Sequence, residues 1–495
     1  MENIKTGDII SGAPAFPYDQ QALQIIVGLK HNKFDLLPTK KPEYLTIPKE
    51  AMFQNFLISG TIGTGKTASA MYPFFKQAVF YEANKKDKKA GILILDVKGN
   101  FYEQALSYIK ECGREEDVIL IKLGGGHTYN PLHKPGMEAV DLASRSRSVM
   151  DLFSMGARKD KFWDNKAVQM MTAAIQLLRL TSAYVTLGDI HEVITNGDFL
   201  ADRLKKLTEI EDQYPEFDVN QCKNYFSGEF YSKAENMIES IKGCVTEMTS
   251  FFASSERIHE TFCPKMENLT FTGFDELIND GKIVILSMNA AEYPEVSKTI
   301  AAYLKLDFQS EVQQRIAKTR DIDKTRPIFF FCDEYQEFAT ANDARFFALS
   351  RESKCCSIVS SQSYASILQT LGSRELFDTL QQNLVNKIWL RTDDRLTIDT
   401  AQFLTGKVEN ERLFKKDFVF DEKIFTQVLE LFKAVCFTAN EKGMNEPHIV
   451  HLLPYFMEPV KSMKAVKAGP VRIKLSAGAE NSRDAAKSKY LIKMS

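Results

Sequence analysis

Gly60-Thr61-Ile62-Gly63-Thr64-Gly65-Lys66-Thr67 fits the pattern G-x-x-x-x-G-K-[ST] and directly follows the apolar run Phe56-Leu57-Ile58. Glycines at these positions let successive backbone N–H groups turn inward around a polyphosphate. Lys66 supplies a point charge for the β- and γ-phosphates, and Thr67 offers its hydroxyl to Mg²⁺. The next segment, about Ala68 to Phe80, is expected to be a helix that aims its positive dipole end at the anion. Gly60, Thr61, Gly63, Thr64, Gly65, Lys66 and Thr67 are therefore the candidate binding residues, with ATP and Mg²⁺ as the expected ligands.

Such a loop needs a second strand carrying carboxylates, and Ile328-Phe329-Phe330-Phe331-Cys332-Asp333-Glu334 supplies one. An acid at the carboxyl end of a buried strand lies at the sheet edge where the phosphate loop opens. Asp333 is placed to hold the Mg²⁺ shell and Glu334 to orient and polarise the attacking water. The alternative is a helix N-terminus flanked by acids. Gln362, ending the strand Cys356 to Ser361, is expected near the γ-phosphate, unless it is only a turn residue. Arg351, after a helix beginning near Asn342, suits an arginine finger reaching a neighbouring subunit's nucleotide. Paired with Glu352, it is instead a surface ion-pair residue worth less than ~1 kcal/mol.

The elements that position these residues are legible as apolar runs. Gly91 to Asp96, Val118 to Leu123, Lys282 to Met288, Pro327 to Cys332, Cys356 to Ser361, Asn386 to Leu390 and Lys433 to Thr438 alternate with helical stretches. Continuous apolar strands of this kind predict a parallel sheet covered on both faces, hence an α/β nucleotide-binding core. Between about Asp151 and Phe271 strand signals are few. Phe162, Trp163, Ala167, Met170, Met171, Ala174, Ile175 and Leu178 recur at helical spacing, which predicts an inserted all-α domain with Trp163 as a core anchor. At 495 residues two or three domains are expected. The reading divides the chain into an N-terminal segment (1–44), a first core part (45–150), the helical insertion (151–275), a second core part (276–460) and a tail (461–495).

Composition excludes several classes. Hydrophobic content of 44% and charged content of 26% describe an ordinary globular chain rather than a disordered one. A formal net charge of −2 gives no global argument for nucleic-acid binding, so any such surface must be local. The tail from Lys461 is locally basic, with nine Lys or Arg against two acids, a charge of +7. Lys85-Lys86-Asp87-Lys88-Lys89 reads as a solvated loop. Eight cysteines without metal-ligand spacing read as reduced core residues. No apolar run approaches the ~18 residues that span a bilayer, and the start of the chain lacks a signal-peptide pattern.

The order of motifs resembles that of the type IV coupling proteins, ATPases of conjugation and type IV secretion related to the septal DNA translocases. The resemblance covers roughly Leu45 to Phe456. It rests on the phosphate loop, Leu93-Ile94-Leu95-Asp96-Val97-Lys98-Gly99, Tyr129-Asn130-Pro131-Leu132 and Lys161-Phe162-Trp163-Asp164-Asn165-Lys166-Ala167. It continues through Cys332-Asp333-Glu334-Tyr335, Leu349-Ser350-Arg351 with Gln362 eleven residues on, and His451-Leu452-Leu453-Pro454-Tyr455-Phe456. It implies a RecA-like P-loop NTPase core and a homo-hexamer that delivers relaxase-bound single-stranded DNA or effector proteins to a type IV secretion channel; the alternatives are a secretion-channel assembly or export ATPase, or a substrate-recruiting adaptor, without DNA translocation. It also implies Gln362 as sensor and Arg351 as trans finger. Asp96 and Lys98 have the alternative of a solvent-facing ion pair, and Asn130-Pro131 that of a turn. Family members typically carry amino-terminal membrane helices, which this sequence does not show. The expectation is a cytoplasmic protein recruited to the inner face of the plasma membrane by a partner, a soluble branch of the family, or an anchor encoded elsewhere.

Overall fold

The computed structural model describes residues 14–31, 42–96, 99, 101–153, 161–229, 234–288, 290–319, 321–410 and 415–457. Lys98 and the basic tail from Lys461 lie outside them. The strands are β1 (Gln24–Lys30), β2 (Tyr44–Pro48), β3 (Phe56–Ser59), β4 (Gly91–Asp96), β5 (Val118–Lys122), β6 (Gly125–Gly126) and β7 (Ile283–Ser287). They continue as β8 (Ile328–Cys332), β9 (Cys355–Ser361), β10 (Asn386–Trp389), β11 (Lys407–Asn410), β12 (Lys415–Phe418), β13 (Lys433–Phe437) and β14 (His448–Leu452).

Twelve strands form one sheet in the order β2-β1-β14-β13-β10-β3-β9-β8-β4-β7-β5-β6, while β11 and β12 pair separately. The seven from β10 to β5 run parallel. These are the continuous aliphatic and aromatic runs of the sequence, buried along their whole length at β3, β4, β7, β8, β9 and β10. Strand side chains alternate between faces. Leu93, Leu95, Phe330 and Val359 accordingly join one hydrophobic cluster, and Ile92, Ile94, Phe329, Phe331 and Ile358 join a second on the other face. The helices Tyr72–Phe80 and Phe101–Glu111 cover the second cluster.

One expected strand direction is corrected. Lys433 to Thr438 reads as one more parallel strand, but β13 pairs antiparallel with β10. The excursion from β10 closes on itself at the sheet edge it left, because Thr392 N–H donates to Phe425 O at 3.0 Å and Arg395 meets Glu422 at 3.3 Å. The chain therefore enters β13 from the phosphate-loop edge. Beyond it β14, β1 and β2 continue the antiparallel flank.

Between β6 and β7 the described residues form helices and the loops that join them, with one parallel bridge, Tyr129 to Phe271. The 22-residue helix Lys161–Ser182 buries Ala167, Met170, Met171, Ala174, Ile175 and Leu178. Trp163 is half-buried against the same cluster. That cluster is continuous with the sheet's own. The helix Pro294–Lys318 joins the two, with Tyr303 Oη donating to Ser146 Oγ at 2.6 Å and Tyr129 Oη to Asp307 at 2.5 Å. All eight cysteines are free, and Cys222, Cys263, Cys332, Cys355, Cys356 and Cys436 are buried.

Candidate active site

The phosphate loop leaves β3 at the carboxyl edge of the sheet. Gly63 and Gly65 have φ of 79° and 94°, the left-handed region that L side chains resist. Gly65 is constrained twice, since an added Cβ would lie 2.6 Å from the Phe432 ring. The loop is braced from inside. Thr61 N–H donates to Arg391 O at 3.0 Å, Thr64 Oγ1 donates to Thr61 O at 2.8 Å, and Lys66 Nζ donates to Gly60 O at 2.6 Å. Lys66 is 7% exposed, so its cation is aimed into the loop rather than into solvent. The helix expected after Thr67 is present, but its first turn, Thr67–Met71, is a wider π-turn before Tyr72–Phe80.

Asp333 and Glu334 follow β8 and reach the same edge. Thr67 Oγ1 donates to Asp333 Oδ2 at 2.7 Å, joining two motifs 266 positions apart. The other carboxylate oxygen accepts from Ser360 Oγ and, at 3.1 Å, from Glu334 N–H. Glu334 adopts φ 55° and ψ 45°, a left-handed conformation costing a non-glycine residue on the order of 1 kcal/mol or more. Its carboxylate accepts from Gln336 Nε2 at 2.6 Å and from Gln362 Nε2 at 3.2 Å. Gln362, expected near the γ-phosphate, is hydrogen-bonded to the Glu334 carboxylate.

Asp96 ends β4 beside Asp333, since Leu95 pairs with Cys332 in parallel register. It is 2% exposed and accepts from Gly99 N–H at 3.0 Å and Tyr102 N–H at 2.9 Å. Burial, aided by the negative charge of Asp333, raises its carboxyl to about 6. The alternative of a solvent-facing ion pair does not hold for Asp96. Asn130 is a buried brace, holding Leu132 N–H and donating to Val185 O at 2.9 Å. Arg351 stands apart. It is exposed in the turn before β9, next to Ser350, whose hydroxyl meets Asn55 just ahead of β3. That is the edge opposite the phosphate loop, so this chain does not bring Arg351 to its own site.

Three contributors escape the sequence reading: Ser360 on Asp333, Gln336 on Glu334, and Phe432 against Gly65. The run Ser360-Ser361-Gln362 at a strand end was a usable signal for the first. The donor set at Thr67 and Asp333, a hydroxyl and a carboxylate, consists of oxygens and suits a hard cation such as Mg²⁺.

Comparison with known proteins bears on the fold and on the family. No curated protein matches the sequence. Among solved structures the chain is similar to the bacterial conjugative coupling protein TrwBdeltaN70 in a trigonal form with sulphate, at 12% identity and a TM-score of 0.61, over 92% of this chain and 99% of that one. It is similar to the plasmid coupling protein TrwB with the ATP analogue ADPNP, at 13% identity and 0.59, over 92% and 99%. TrwB with ADP and Mg²⁺ compares at 12% and 0.59, over 92% and 98%. At this identity the likeness is one of fold. Residues 43–417 match the family described as the type IV secretion-system coupling protein DNA-binding domain, and the chain belongs to that family.

Proposed function

We propose that the chain is an ATP-hydrolysing coupling protein that delivers DNA, as a relaxase-bound single strand, or protein substrates to a type IV secretion or conjugation channel. One observation carries the reading: the 2.7 Å contact of Thr67 with Asp333, which joins the phosphate loop to the acid pair. Lys66, now on Gly60 O and Thr61 O, has its charge where the β- and γ-phosphates of a nucleotide would lie. Thr67 and Asp333 are the residues that would hold Mg²⁺, which when bound neutralises charge on the phosphates. Glu334, fixed by Gln336 and Gln362, orients the attacking water and receives its proton. Gln362 then links the water-activating acid to the end of β9, a placement suited to sensing the γ-phosphate.

In this reading Arg351 serves the nucleotide of the next subunit in a homo-hexamer, since its own fold keeps it on the far edge. DNA as cargo is supported by the DNA-binding-domain description of the family. Among the described residues no helix is long and apolar enough to cross a membrane; a channel component is the proposed partner for recruitment to the inner face of the plasma membrane. The test is ATP hydrolysis by the full chain with and without single- and double-stranded DNA. Stimulation by DNA that falls steeply with salt is expected. Turnover indifferent to DNA would replace DNA delivery by protein export, and absence of turnover in the folded protein would remove the enzymatic reading.

A further inference from the structure

We propose that Phe432, Tyr455 and Phe456 form the nucleoside end of the site, an aromatic platform on which a purine base stacks. The inference rests on the phosphate loop holding a triphosphate. Sheet order sets the direction of that triphosphate. Glu334 and Gln362, which must meet the γ-phosphate, follow β8 and β9 on one side of β3. The nucleoside therefore leaves toward the other side, over β10, β13 and β14.

Three aromatic residues are built onto the loop there. Phe432, just before β13, presses its ring on Gly65 from a left-handed backbone with φ 63°, and its carbonyl is held by Leu452 N–H at 2.8 Å. Strain of this kind in a bulky residue is kept where a site over-determines it. Tyr455 N–H donates to Ala68 O at 2.8 Å. Ala68 directly follows Thr67, at the α-phosphate end of the loop. The contact has a local cause. In the π-turn Tyr72 N–H reaches back to Thr67 O, and the next donor in that register is missing because residue 73 is proline. Tyr455 fills the vacancy and ties the segment after β14 across the loop. Its ring packs edge-on against Tyr72 at 5.2 Å and Phe456 at 5.5 Å, and Phe456 meets Phe432 at 5.6 Å and 67°. Phe432 is 7% exposed, but Phe456 is 44% exposed, a large aromatic ring standing at the rim of a polar site. Stacking on such a ring tolerates any base because every base has a π-face. The platform therefore predicts similar affinity for ATP and GTP.

The test is calorimetric titration of the full chain with ATP, GTP and inorganic triphosphate. Phe456→Ala should weaken ATP and GTP roughly ten-fold while leaving inorganic triphosphate unchanged, and Phe456→Tyr should restore both nucleotides. Equal weakening of all three ligands, or no change in any, overturns the platform. The parent reading fails differently, by wild-type protein that binds neither ATP nor triphosphate.

Discussion

Lys305 and Asp343 form an ion pair at 2.5 Å with both side chains fully buried, directly beneath the turn that carries Glu334. Asp343 also accepts from Tyr335 Oη and from Gln309 Nε2 at 2.8 Å, and it completes a capping box with Thr340 at the start of the helix Ala341–Leu349. Tyr335 is the neighbour of Glu334 in sequence, so this pair anchors the strained residue from below. Replacing Asp343 by Ala leaves the Lys305 cation buried and unpaired. The expected cost is about 3–5 kcal/mol, read as a fall in the urea midpoint. A loss under about 1 kcal/mol would show that the fold does not depend on the pair.

Lys66→Ala and Glu334→Gln should separate binding from chemistry. Neither side chain belongs to a hydrophobic cluster, so both variants should keep the wild-type melting temperature within a few degrees. Lys66→Ala should lose hydrolysis through lost phosphate contact. Glu334→Gln should still bind ATP but turn over at least ~100-fold more slowly. Wild-type turnover in Glu334→Gln would remove Glu334 from the catalytic assignment.

Mixing experiments address Arg351. Subunits inactivated by Arg351→Ala and subunits inactivated by Lys66→Ala should together recover part of the ATPase activity, because some boundaries then bring an intact finger to an intact loop. Mixed rings shown to form yet inactive at every ratio would leave Arg351 a surface residue.

His451 supplies a pH signature. It is 6% exposed on β14, its ring stacked 6.3 Å from His31, with Lys433 and Glu430 also nearby. Burial, with His31 and Lys433 adding to it against a weaker pull from Glu430, lowers its pKa to about 4. The unfolded chain takes up this proton near pH 6.5 and the folded chain does not. Stability present at pH 7 is thus lost as pH falls from 6.5 toward 4, by on the order of 3 kcal/mol. His451→Phe should flatten that part of the stability profile, and an unchanged acid slope would place the effect elsewhere.

The parallel core was readable because β4, β7, β8 and β9 are buried on both faces and leave unbroken apolar runs. Direction was not, since an apolar run looks the same either way. β13 shows this. The flank strands were harder still: Tyr44–Pro48 alternates buried and half-buried positions over five residues and ends in proline. At the site, residues whose chemistry is tied to a motif were legible, as Lys66, Thr67, Asp333 and Glu334 were. Gln336 was not, because an amide after a strand has the composition of any turn, and only the fold aims it at a carboxylate; for Ser360 the run Ser360-Ser361-Gln362 was the one hint. Asp96 was visible as a residue but not as a buried one.

The tie between Tyr455 and Ala68 also bears on how the protein is made. The phosphate loop is synthesised early, but one brace of its helix comes from residue 455 and its acid partners from residues 333 and 334. Contacts so distant along the chain form late and slowly. A ribosome-bound fragment ending before β8 carries the phosphate loop without Asp333 and Glu334. The loop gains its acid partners only once residues 333 and 334 have emerged, and the brace at Ala68 only once residue 455 has.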